Sequence, residues 1–196
     1  MKKKIVSICL LLSLCMSLCF GSMPTHASGN SIFLSANYVG QAKDKWCWAA
    51  SAENAIRWEA NPNLNQWDAV YFIFGQHESD PYPNKSASIL ATADAATYLS
   101  NGVHSYTGVN VPMSASFLFS HLFSSHPVIC SGGIYNSSGI RQKGHQVLLC
   151  GWYDGSYQTM LTYYDPALLQ YKTCSYSEFC NGTFNGRIYD RTCYHL

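Results

Sequence analysis

QAKDKWCWAA, residues 41–50, decides how the rest of this chain is read. Gln41 stands six residues ahead of Cys47, Trp46 and Trp48 flank the cysteine, and an alanine-rich run follows to residue 60. Ala49, Ala52, Ile56 and Ala60 recur at the spacing of one helix face, and Glu53 and Arg57 form an i,i+4 pair on the other. Cys47 therefore opens a helix. Unpaired backbone N–H groups and the positive end of the helix dipole gather there, and both favour a thiolate over a thiol. The thiolate is the nucleophilic form, so the position suits a reactive cysteine better than a structural one.

Outward from that helix, Asn61 and Pro62 form a stop. Asn65 as N-cap and Asp68 in the first turn predict a second helix running through Val70, Ile73 and Phe74 to Gly75. Residues 76–85 have loop composition, 88–99 read as a third helix closed by Asn101-Gly102, and 114–123 as a fourth. After Pro127 the period changes. Residues 128–135, 146–153 and 159–164 are short runs rich in β-branched and aromatic side chains, linked by NSSGIRQKG and DGSYQ, and 170–173 and 186–194 add two more. Helices first and strands second predict an α+β architecture with an antiparallel sheet or open barrel.

A cysteine nucleophile needs a base, a group to orient that base, and donors for an oxyanion. His145, in GHQVLLCGWYDG, stands at the mouth of a strand behind a glycine that lets another chain approach. Asp165 ends the run at 159–164 and precedes Pro166. A hairpin centred on Gly155 would place residue 145 opposite residue 165, on one face, with Cβ atoms about 4.5–5.5 Å apart. A one-residue slip would send them to opposite faces. The side-chain amide of Gln41 is the candidate oxyanion donor beside Cys47.

The order Gln, then Cys at a helix start, then His, then Asp resembles that of papain-like cysteine peptidases. QAKDKWCWAA, GHQVLLCGW and YYDP are most similar to the secreted bacterial branch with the staphopains and plant-pathogen effector peptidases. The resemblance spans residues 41–166. It implies a papain-like α+β fold, an N-terminal helical half and a C-terminal antiparallel sheet or open barrel with the active site between them. It also implies that Gln41 serves the oxyanion, Cys47 is the nucleophile, His145 the base and Asp165 the orienter, and that the substrate is a polypeptide. Papain itself has Asn where this chain has Asp165, whereas bacterial relatives have Asp. Trp46 and Trp48 are expected either to wall the cleft or to pack the interface between the halves.

Lys2, Lys3 and Lys4, an apolar run of 16 residues at 5–20, and Thr25-His26-Ala27 have the pattern of a secretory signal peptide. Residues 1–27 are thus expected to be a leader and 28–196 one peptidase domain, exported and monomeric. The stretch 28–40 leaves almost no room for an inhibitory pro-domain. Leader removal leaves nine basic against eleven acidic residues, a net charge of −2 with no basic stripe for nucleic acid. No later apolar run is long enough for a membrane span.

Six of the nine cysteines follow the leader: Cys47, Cys130, Cys150, Cys174, Cys180 and Cys193. Export permits disulfides. Strands 128–135 and 146–153, folded about Ile140, would set Cys130 opposite Cys150 as a close buried pair turned away from His145, and Cys193 would staple back to Cys174 or Cys180. No cofactor and no metal is expected. Cys174, Cys180, Cys193 and His195 offer a zinc-like set, but their spacing lacks a Cys-x-x-Cys knuckle. A cell-wall amidase, a transglutaminase, a bacteriocin-leader peptidase and a silent binding protein on the same fold are the rival readings. An intact Gln41, Cys47, His145 and Asp165 set argues against the last.

Overall fold

The computed structural model describes residues 30–60, 63–75, 82–155, 157–182 and 186–196. The leader expected at 1–27 lies outside them. Helix α1, Cys47–Glu59, runs through the middle of the core, and every residue from Trp48 to Ile56 is buried. Its small side chains (Ala49, Ala50, Ala52, Ala55) let neighbours approach on all sides, so the helix is enclosed rather than amphipathic. This corrects one expectation. Glu53 does bind Arg57 at 2.8 Å, but its carboxylate is buried.

Helices α2, Gln66–Phe74, α3, Ile89–Leu99, and α4, Ala115–Phe123, begin where their caps predict. Asn65 accepts from Trp67 N while Asp68 Oδ2 accepts from Asn65 N at 2.8 Å. Ser88 and Ser114 cap the next two from Ala91 N and Phe117 N. Each such cap stabilises its helix by about 1 kcal/mol. A short helix, α5, Tyr176–Cys180, has the same device in Ser175 and Glu178.

The sheet is antiparallel throughout, with strand order β2-β7-β3-β4-β5-β6 and β1 paired to β4. The strands are β1, Ser31–Phe33, β2, Tyr106–Val109, β3, Val128–Tyr135, β4, Arg141–Asp154, β5, Thr159–Asp165, β6, Gln170–Ser175, and β7, Ile188–His195. β4 is the spine. Its first half pairs with β3, and its second half is flanked by β1 and β5. Val128, Ile129, Leu148 and Leu149 lie in one buried cluster with Ile56 and Leu99. Each contributes about 1.5–3 kcal/mol by leaving water.

Two registers differ from expectation. The β3–β4 turn centres ahead of Ile140, because Asn136 Oδ1 accepts from Ser138 N and Ile140 N and Gly139 takes a φ of 73°. Cys130 consequently faces Val147 rather than Cys150, and all six described cysteines stand as free thiols, so no staple from Cys193 forms. The β4–β5 register is also shifted. Gly151 faces Thr162, and continued unbroken that pairing would set Asp165 level with Leu148, which points away from His145. Cys150, however, is an unpaired bulge residue, and beyond it Leu148 faces Tyr164. One step further, Asp165 comes level with Val147, on the same face as His145 and diagonal to it.

Candidate active site

Cys47 is the first residue of α1, behind Trp46. No side chain caps this end and no acid occupies the first turn, so nothing in the helix competes for its N–H groups. The indoles on either side are buried and do not line the cleft, so of the two expected roles Trp46 and Trp48 pack rather than wall it. Trp46 Nε1 donates to Pro83 O and Trp48 Nε1 to Lys85 O, each at 3.0 Å. Lys43 Nζ donates to Tyr82 O, and Lys45 N donates to Asn84 Oδ1. The two tryptophans and their neighbours thus clamp the segment from Tyr82 to Lys85 against the start of α1.

His145 reaches the same place from β4, and Asp165 from the end of β5. Asp165 is fully buried, and its Oδ1 accepts from His145 Nε2 at 2.8 Å and from Ala167 N at 3.0 Å. The ring of His145 is also hydrogen-bonded to the Cys47 side chain, which leaves Nδ1 as the nitrogen for sulfur. Burial pulls the His145 imidazole toward neutrality, but the bonds to Asp165 and Cys47 outweigh it and push its pKa up to about 9.

Gly144, next to His145, makes room for a neighbour the sequence did not suggest. A Cβ there would lie 2.4 Å from Arg141 Nη1, so the glycine admits a guanidinium rather than another backbone. Arg141 Nε binds Asp190 at 2.7 Å.

Gln41 lines the same cleft, which holds about 860 Å³. Its Nε2 donates to Lys43 O at 3.1 Å and Asp44 O at 2.9 Å, so both amide hydrogens are directed at the local backbone. An oxyanion role requires exchanging one of them. The segment that carries Gln41 is held by residues the sequence reading missed. Asn54 of α1 pairs with both Val39 N and Val39 O, and Gln66 of α2 bridges Ala42 N and Gly40 O. Glu53 Oε2 in turn accepts from Gln66 N. Polar residues inside an alanine-rich run were the available signal, since a buried amide needs partners.

No family model matches the sequence, and no curated protein matches it. Solved structures do. A structure from work on the mite allergens Blo t 1 and Der p 1 superposes with a TM-score of 0.56 at 12% identity, over 91% of this chain and 73% of that one. Interpain A, a cysteine protease of Prevotella intermedia, gives 0.51 at 14% identity over 86% and 95%. Digestive procathepsin L 3 of Tenebrio molitor larval midgut gives 0.51 at 14% over 89% and 71%. The fold is papain-like. Cys47 at the head of the central helix and the His145–Asp165 pair on the facing sheet occupy the junction of its helical and sheet halves.

Proposed function

We propose that the chain is an exported cysteine endopeptidase that hydrolyses peptide bonds through a thioester on Cys47. The observation that carries this reading is the buried Asp165–His145 pair hydrogen-bonded to the side chain of a cysteine at a helix start. The Cys47 sulfur, deprotonated by His145, attacks the scissile carbonyl carbon and forms a C–S bond. The carbonyl oxygen becomes an oxyanion, received by the Cys47 backbone N–H and, once an amide hydrogen is exchanged, by Gln41. Collapse breaks the C–N bond as the His145 imidazolium gives its proton to the leaving amine. Water, deprotonated by His145, then attacks the thioester and releases the acid and the thiol. Asp165 holds the ring in place and steadies its positive charge throughout. The leader pattern at 1–27 supports export, and the cleft needs no cofactor for these steps.

Labelling with an epoxide inhibitor of the papain type, followed by peptide mapping, tests the reading. Modification confined to Cys47, lost with Cys47→Ala, is expected. Labelling that favours Cys130 or Cys150 would sink it. Product analysis on peptide, peptidoglycan and amine-acceptor substrates separates peptidase from amidase and transglutaminase.

The charge of the cleft narrows the substrate. Lys45, Arg141, Lys143, Arg187 and Arg191 line it, five of the nine Lys and Arg among the described residues. Asp44 and Asp190 offset only part of this, so the cleft favours peptides with acidic side chains flanking the cut.

A further inference from the structure

Four histidines outside the cleft gather at a single spot. His104 lies between α3 and β2, His121 is in α4, His126 lies between α4 and β3, and His195 ends β7. His104, His126 and His195 gather about the carboxylate of Glu59, the last residue of α1, whose side chain is 3% exposed, and His121 lies beside His126 and His195. Glu59 Oε1 pairs with His126 Nδ1 at 2.9 Å. The buried Tyr106 hydroxyl lies within reach of the Glu59 carboxylate, yet neither it nor Glu59 Oε2 makes a hydrogen bond of good geometry among the described residues; Oε2 sits 3.5 Å from His104 Nδ1, which is 3.3 Å from His195 Nε2.

These separations are long for charge-assisted hydrogen bonds, which run about 2.7–2.9 Å. They match something else. Ligands about 2.0–2.1 Å from a tetrahedral zinc ion stand about 3.3–3.4 Å from one another. Glu59 Oε2, His104 Nδ1 and His195 Nε2 all lie within 4.8 Å of each other. A buried carboxylate oxygen without a donor is costly, and a cation between these three atoms removes that cost.

We propose that Glu59, His104 and His195 form a binding site for a divalent transition-metal ion of the zinc type, with His126 orienting the carboxylate from outside. Of the zinc-like set at 174, 180, 193 and 195 only His195 takes part, joined by residues far apart in the chain rather than by the three cysteines. His126 and His195 also border a cavity of about 250 Å³ with Ser120, His121 and Ser124, where water or His121 completes the coordination shell. The negative end of the α1 dipole adds to the attraction for a cation. The site lies at the opposite end of α1 from Cys47, about 18 Å away along the 13-residue helix, and is independent of the cleft. An ion here ties the helical half to β7.

The test is titration of the whole exported chain with Co²⁺ and then Zn²⁺, in a Cys47→Ala background that removes the cleft thiol. One Co²⁺ per chain, with the visible absorption of a tetrahedral nitrogen and oxygen site, no thiolate charge-transfer band and displacement by Zn²⁺, is expected. His104→Ala and His195→Ala should each weaken binding at least about 100-fold, and His126→Ala about 10–100-fold. Glu59→Gln, which keeps the shape of the side chain, should match His195→Ala even if the histidine variants fold poorly. Absence of stoichiometric binding at micromolar metal would overturn the proposal. Undiminished binding by Glu59→Gln, or a thiolate band, would do the same.

Discussion

His145 carries the sharpest consequence for chemistry at the scale of single residues. Its pKa is raised to about 9, above the ~6.5 of an unfolded imidazole, so the stability gained from its charge is complete below about pH 6.5 and is lost as pH rises through 9. The alkaline limb of kcat/KM should therefore fall near pH 9. Asp165→Asn, which removes the carboxylate supporting the charge, should move that limb toward acid by about a unit or more. A limb that stays in place would show that Asp165 does not set the charge of the ring. Gln41 is a second residue-scale question, because its amide hydrogens face Lys43 O and Asp44 O. Gln41→Ala should lower kcat by about 10²–10³ if one hydrogen is exchanged for the oxyanion. A fall in melting temperature with kcat preserved would mark Gln41 as a brace for its loop instead.

Between elements, the segment at 39–42 before the cleft is set by amides on helices. Asn54 satisfies both backbone groups of Val39 from the interior of α1, and Gln66 spans Gly40 and Ala42 from α2. Asn54→Ala strands two backbone groups at a part-buried site and should cost about 2–4 kcal/mol in urea unfolding. It should also weaken catalysis by loosening Gln41, whereas Tyr157→Ala, at an exposed position between β4 and β5, should do neither strongly. Comparable loss from both variants would contradict the bracing role. The Cys150 bulge acts at this scale too, because one unpaired residue in β4 puts Asp165 and His145 on one face.

For the molecule as a whole, charge is uneven. Five of the nine described Lys and Arg line one cleft while the chain after residue 27 sums to −2. Turnover of an acidic peptide should exceed that of its amidated counterpart by about tenfold at low salt. The advantage should shrink between 0.1 and 1 M salt, as the screening length falls from about 10 to about 3 Å. The double variant Lys143→Ala, Arg191→Ala should reduce it further. Equal turnover of the two peptides at low salt would refute the acidic preference.

The sequence by itself determined what is local. Alanine spacing, the Asn65–Asp68 box and the serines at 88 and 114 announced four helices within a residue or two, since a cap and the groups it satisfies lie within one turn. β-Branched runs likewise announced the five longer strands, while β1 and β2, three and four residues long, were too short to read and form only against β4 and β7. The order of Gln41, Cys47, His145 and Asp165 was legible as well. Tertiary structure alone decided how they meet. The Asn136 turn and the Cys150 bulge fixed registers that a count of residues about a guessed centre misses, and they separated Cys130 from Cys150. Burial turned Trp46 and Trp48 from cleft walls into clamps on the segment at 82–85. It also gathered Glu59, His104, His126 and His195 from across the chain. Strand register and long-range clustering depend on which surfaces the packed core brings together, and no window of sequence contains that information.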